Sequence, residues 1–237
     1  MMYKIWTPTV GDPMDAIPSP TVVVEKTRIE AGIARTFGIA PQAFEGVARS
    51  ILRGFTGTSA LHPKGYNGTR GWADGSAAVR EALIPEGWHP EDPQNQPRVV
   101  SSKRRVAITV SSGSPQTGVA ERTPQTRNDK GSQTSSSVNF NAKQLEMFPV
   151  NDQVSNIRPM ESGQALWIFL YYIDPENREL RYELSRPTAM SEHDKVNEWS
   201  IRYIFPPLKF DAEFEVDDRS DAQDVTPDID ITVTPKK

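Results

Sequence analysis

The chain holds three histidines and no cysteine. His62, His89 and His193 sit in the segments LHP, WHPED and SEHDK. Asp92, Glu192 and Asp194 could join them on a metal. No HxH or HxxxH spacing puts two imidazoles on one element, so surface histidines are the expectation. Without cysteine there is no thiolate nucleophile, no Cys-type zinc site and no disulfide framework. Serine is plentiful, but no GxSxG turn presents one as a nucleophile. Ser111-Ser112-Gly113-Ser114-Pro115 follows a strand pattern and could receive a phosphate. Such turns open a helix, and no helical pattern follows here. Trp72, Trp88, Trp167 and Trp199 read as core or interface anchors. The expectation is a protein that binds rather than catalyses, with no cofactor and no metal. An enzyme with an unrecognised site is the alternative.

The elements that must carry any binding surface follow from periodicity. Four prolines among residues 1–20 predict an extended arm. Residues 21–24 can form a short strand. Ile29, Ile33 and Phe37 recur at i, i+4 and i+8, and Gly38 can close that helix. Phe44, Val47, Ala48, Ile51 and Phe55 repeat at three and four, a second helix. Residues 56–76 read as loop and 76–83 as a third helix. Val106, Ile108 and Val110 alternate as a strand. Residues 111–139 are nearly free of large apolar groups. They read as a mobile polar segment, because ordering costs roughly 1–2 kcal/mol per residue with little burial to offset it. Beyond it lie strands at 165–173, 180–184 and 200–205, with 209–216 as a fourth candidate and Asp174-Pro175-Glu176-Asn177 as a turn.

The fold class is thus α+β. A helical N-terminal part ending in a strand spans 1–110, and a polar flexible segment with a short motif spans 111–150. A small antiparallel β module spans 151–210, and an acidic tail spans 211–237. In that tail Asp211, Glu213, Glu215 and Asp217 alternate with Ala212, Phe214 and Val216. It reads either as an acidic edge strand or as a tail that adds a strand to a partner.

Two short motifs carry binding chemistry. The first is IARTFGIAPQAFEGV, residues 33–47. Ala34 permits close helix approach, Gly38 supplies a positive φ, and Ile39 plugs the angle between the helices. The segment resembles the core of bacterial helix-turn-helix DNA-binding domains. That resemblance implies Gln42, Arg49 and Arg53 as outward, DNA-facing residues of the second helix. Gly46 and Glu45 depart from the pattern, and an ordinary helical hairpin packed on a core is the other reading.

The second motif is QLEMF at 144–148. It resembles the QLxLF peptide by which bacterial polymerases and mismatch-repair, plasmid and phage factors dock on the DNA sliding clamp. The resemblance implies that Leu145, Met147 and Phe148 fill an apolar cleft while Gln144 hydrogen-bonds at its rim; Met suits such a pocket because it is flexible and polarizable. A short segment folded back into the core is the alternative.

Charge is unevenly spread. Residues 1–150 carry 17 basic and 13 acidic side chains, residues 151–210 carry 7 and 9, and residues 211–237 carry 3 and 9. Lys103, Arg104 and Arg105 form a basic run that could meet phosphate or the tail. No run of about 18 apolar residues exists, and the first residues have no apolar signal core, so a cytoplasmic protein with no membrane partner is expected. The leading functional expectation is a non-enzymatic accessory of DNA metabolism or of a mobile element. Its partners would be the sliding clamp, DNA, or a protein that binds the tail. A protein–protein adaptor or defence-system subunit without DNA contact is the alternative.

Overall fold

The computed structural model describes residues 21–101, 103, 105–147 and 163–210, with 146 and 147 described at the backbone only. Four helices and eight strands follow one another: β1 (Val22–Val23), α1 (Lys26–Phe37), α2 (Gln42–Thr56), α3 (Tyr66–Leu83), β2 (His89–Glu91), β3 (Arg98–Ser101), β4 (Val106–Ser112), α4 (Ser132–Met147), β5 (Ala165–Asp174), β6 (Glu179–Met190), β7 (Val196–Ile204) and β8 (Leu208–Lys209). The fold is mixed α+β. Its sheet is larger than the small antiparallel module expected from the sequence, and it is not purely antiparallel. The strand order is β1-β7-β6-β5-β4-β3-β2, with β8 beside the start of β6. β4 and β5 run parallel from Val106–Ala165 to Ser112–Tyr171, and β1 runs parallel to β7. Strands on either side of the polar segment therefore share one sheet, a pairing set by contacts distant in sequence.

The unbroken apolar run of β5 reflects a strand covered on both faces. Trp167, Phe169 and Tyr171 join the core formed with α1, α2 and α3. Leu166, Ile168 and Leu170 join a second, smaller core with Val138 of α4 and Trp199 of β7. On the larger side, aromatic rings connect the layers. Phe37 meets Trp167 edge-on at 5.1 Å, Trp167 stacks on Tyr203 at 5.6 Å, and Tyr182 stacks on Phe205 at 5.1 Å. Each such pair adds about 0.5–1.5 kcal/mol beyond its burial.

The first two helices form where their apolar periods predict. Ile29, Ile33 and Phe37 are buried in α1, and Gly38 closes it at φ 76 with its N–H on the Ala34 carbonyl. Phe44, Val47, Ala48 and Ile51 are buried in α2. α3 begins ten residues before its expected start. Gly68, Gly71 and Gly75 weaken local helix propensity, which is why residues 66–75 read as loop. Tertiary packing needs two of those glycines: a Cβ on Gly71 would lie 3.1 Å from the Ile51 carbonyl, and one on Gly75 would lie 2.5 Å from Ile51 Cγ1.

Residues 111–139 also differ from expectation. They contain the end of β4, a set of turns, a bridge between Gly113 and Thr126, and the first half of α4. What holds this segment is hydrogen bonding to buried partners rather than apolar burial. Trp199 Nε1 donates to the Pro124 carbonyl at 2.7 Å. Asn141 of α4 donates through Nδ2 to the carbonyls of Leu166 and Pro187 and accepts from Leu166 N, tying the helix to β5 and β6. The β6–β7 register shifts around Pro187, as expected where a strand residue has no N–H to give.

The glycine packing makes a paired prediction. Gly75→Ala should destabilise the protein by about 1–3 kcal/mol through overpacking against Ile51. Gly46→Ala should stabilise it by up to about 1 kcal/mol, because nothing lies within 4 Å of a Cβ built there. Urea unfolding midpoints of the two variants should move in opposite directions.

Candidate functional site

Gln42, Arg49 and Arg53 all lie exposed on the outer side of α2. Arg49 is held by Glu45 one turn earlier, with Nη2 on Oε1 at 2.6 Å. Arg53 Nη2 reaches Ser50 Oγ at 3.3 Å. The expected turn is present, with Gly38 left-handed and Ile39 buried. The apolar faces of α1 and α2 pack onto the sheet, and α2 lies alongside α3. The sheet thus occupies the place that a third helix takes in a trihelical domain.

Lys103 is exposed and Arg105 half-exposed in the turn between β3 and β4; Arg104 lies outside the described residues. Arg105 has φ 53, and its carbonyl accepts from Ala165 N at 2.9 Å, which anchors the start of the parallel pair. These residues stand on a different element from the α2 set.

Residues 144–147 of the QLEMF segment form the last turn of α4 instead of an extended peptide. Gln144 and Leu145 are buried at 3% and 8% exposure. Gln144 Oε1 accepts from Arg186 Nη2 at 2.5 Å. The Met147 side chain and Phe148 lie outside the described residues. As folded, the motif has its first two side chains turned inward.

The strongest buried polar arrangement was missed by sequence reasoning. It lies on the α4 side of the sheet. Glu183 and Arg202 are 0% and 2% exposed and form a two-pronged ion pair at 2.6 and 3.0 Å. Ser185 Oγ donates to Glu183 Oε1 at 2.7 Å, and Gly118 N donates to Oε2 at 2.9 Å. Arg202 Nη1 and Nη2 donate to the carbonyls of Arg122 and Val119 at 2.7 and 3.1 Å. Both carboxylate oxygens are thus doubly occupied. The pair fastens the polar segment across β6 and β7 and offers no open acid or base. Its only sequence signal was Glu183 alternating with Leu180, Tyr182 and Leu184, which alone does not distinguish a solvent face from a covered one.

Arg186 lies nearby, 3% exposed, with no hydrogen-bond partner for Nε among the described residues. Burial lowers its guanidinium to about 10. Burial likewise brings the Lys130 ammonium down to about 8, against the opposing pull of Asp129. The buried Tyr171 hydroxyl is pushed above its ordinary value. Among the described residues no group of three or more His, Asp or Glu side chains is placed to hold a metal ion. His62, His89 and His193 stand on three separate segments.

A second arrangement, also missed, is open to solvent. It lies at the connection from α2 to α3. Leu61 is 95% exposed and Tyr66 39% exposed. The His62 and Tyr66 rings stack at 5.0 Å and 3°. His62 Nδ1 accepts from Ser59 N at 3.0 Å, and the His62 N–H donates to the Ser59 carbonyl at 3.0 Å, so the turn beneath the rings is fixed. Arg70, one turn after Tyr66, donates to the Gly57 carbonyl at 2.7 Å and so bridges the end of α2 to the start of α3. Residues 46–73 contain Arg49, Arg53, Lys64 and Arg70 and no carboxylate, but the flanking Glu45 and Asp74 pair with Arg49 and Arg70 at 2.6 and 3.9 Å. The expected loop over 56–76 hid this grouping, because Tyr66 and Arg70 share a face only once residues 66–75 are helical.

No family model, no curated protein and no solved structure matches this chain. Among the described residues no helix is long and apolar enough to cross a membrane.

The buried pair yields a stability prediction. Glu183→Gln keeps the shape but strands the Arg202 charge and should cost about 3–5 kcal/mol in denaturant unfolding. Trypsin should then cut faster after Arg122 and Arg127 in the segment the pair fastens. A Glu183→Leu, Arg202→Met double variant should lose less than the two single changes summed, with a coupling of about 0.5–3 kcal/mol.

Proposed function

We propose that this is a non-enzymatic binding protein of DNA metabolism that contacts DNA through the outer side of its helical layer. The observation that carries the reading is the exposed column Gln42, Arg49 and Arg53 on α2. Arg49 and Arg53 would grip phosphates, and Gln42 can pair with an adenine edge. The Glu45–Arg49 contact is solvent-exposed, and such pairs are worth no more than about 1 kcal/mol, so a phosphate can displace it. Docking on a sliding clamp through Gln144, Leu145, Met147 and Phe148 is the second part of the reading. It requires the last turn of α4 to unwind and release Gln144 from Arg186.

The alternative is a protein–protein adaptor without DNA contact. What favours it is the inward position of Gln144 and Leu145, together with the nine acidic against three basic residues of the tail. Such a tail suits a basic protein partner better than a phosphate backbone.

Fluorescence anisotropy of the full chain with a labelled duplex of roughly two helical turns tests the choice. Binding should weaken as salt rises from about 50 to 200 mM. Arg49→Ala combined with Arg53→Ala should weaken it further and reduce the salt slope by about 1–2. Salt-independent binding, or none, would sink DNA contact and leave the adaptor. For the clamp, Leu145→Ala should abolish pull-down by purified clamp without changing duplex affinity; pull-down retained in the variant would rule out this motif as the docking segment, and no pull-down of the parent chain would remove that partner.

A further inference from the structure

We infer that the guanidinium of Arg186 is a binding site for one small monovalent anion, of halide or carboxylate size, held between the last turn of α4 and the point where β5 and β6 part. The site is independent of the DNA-contact reading.

The first observation is a buried charge without a counter-charge. Arg186 is 3% exposed. Arg80, Arg98, Arg181 and Arg202 are also largely buried, and each meets a carboxylate, from Asp92, Glu91, Asp174 and Glu183 in turn. Arg186 meets none among the described residues. The acceptor at its Nη2 is the neutral amide oxygen of Gln144 at 2.5 Å. Burial brings the guanidinium down only to about 10, so the charge persists at neutral pH. A buried ion left unpaired is strongly destabilising, and an anion beside it removes that cost.

The second observation is the donor that remains. Nε is buried and has no hydrogen-bond partner among the described residues. Nε and Nη2 form one edge of the guanidinium, the fork that takes a carboxylate in two parallel bonds. Nη2 carries two hydrogens, and Gln144 accepts one of them.

The third observation is the break in the sheet. The β5–β6 pairing ends at Ile168–Ser185, one position short of Trp167–Arg186. Asn141 enters there from α4 and bonds Leu166 and the Pro187 carbonyl. On the other side of β6 the register shifts between Arg186 and Pro187. Arg186 therefore stands at an irregularity toward both neighbouring strands. Trp167, opposite it in the interrupted register, has a buried Nε1 that also lacks a partner among the described residues. Two buried donors thus belong to facing positions at one break, and each calls for an acceptor. A water would satisfy a donor but leave the charge unmet. A divalent oxyanion would bring a second charge that Arg186 alone does not neutralise. A monovalent anion meets both demands.

The test follows thermal melting of the full chain in gluconate, with chloride or formate titrated in at constant ionic strength. The response should saturate. At about ten times the dissociation constant, the folded-to-unfolded ratio should be about tenfold higher. Arg186→Met should melt at a temperature indifferent to the anion. Trp167→Phe should weaken the anion dissociation constant by up to about tenfold. A second readout needs no variant: amide exchange at Gln144 and Leu145 should slow in the parent chain as the anion binds. No response of the parent in either readout overturns the site and leaves water at Nε. A response kept in full by Arg186→Met, or matched by sulfate at equal ionic strength, overturns it in favour of a general salt effect. If Arg186→Met does not fold, amide exchange in the parent decides: slowing with chloride or formate and not with sulfate supports the site, and equal slowing with all three overturns it.

Discussion

The buried pair of Glu183 and Arg202 is the interaction on which the architecture turns. Taking both ions out of water costs several kcal/mol each, and attraction alone does not recover that. Recovery requires that every remaining lone pair and proton find a partner. Ser185 and Gly118 supply donors to the carboxylate, and the carbonyls of Val119 and Arg122 accept from the guanidinium. Three of those partners belong to the segment that follows β4. The pair is therefore satisfied only when that segment lies across β6 and β7. A polar stretch with no apolar reason to fold is held in one place by the demand of two charges it encloses.

The same principle repeats around α4. Asn141 at 0% exposure supplies hydrogen bonds to β5 and β6 that a strand neighbour would otherwise give. Gln144 meets Arg186 within the fold. The two sides of the sheet are thus held by different physics. Toward α1, α2 and α3 the contact is aromatic and aliphatic, with rings linking Phe37 to Trp167 and Tyr203. Toward α4 and the preceding turns a smaller apolar core is joined by buried hydrogen bonds and the Glu183–Arg202 pair. Because the helical side needs its apolar faces for the sheet, its polar residues face out. Arg49, Arg53 and Tyr66 are exposed for that reason.

Legibility in the sequence followed the source of order. α1 and α2 could be read because their apolar residues recur at helical spacing, and Gly38 ended α1 as its type predicts. β5 could be read from its apolar run, and the turn after it from Asp174 and Asn177, whose side chain and backbone N–H bind the aspartate carboxylate. The start of α3 could not be read. Its glycines signal a loop locally, and they are required only because Ile51 on another helix comes so close. Of the two motifs, the outward column on α2 kept its predicted exposure, whereas QLEMF gave no local sign that Gln144 would turn toward Arg186, forty-two residues away.

The sequence by itself determined what periodicity and composition encode: an α+β chain, two amphipathic helices, the β5 core strand, no thiol chemistry, and an acidic tail set against a basic first half. These depend on a residue and its near neighbours. Tertiary structure alone decided that strands on both sides of the polar segment share one mixed sheet, that this segment folds, and that Glu183 faces protein rather than water. It also decided that Tyr66 and Arg70 share a helix face beside His62. Each of these rests on a partner far along the chain. A buried charge or a helix glycine is costly until that partner arrives, so no local pattern can announce it.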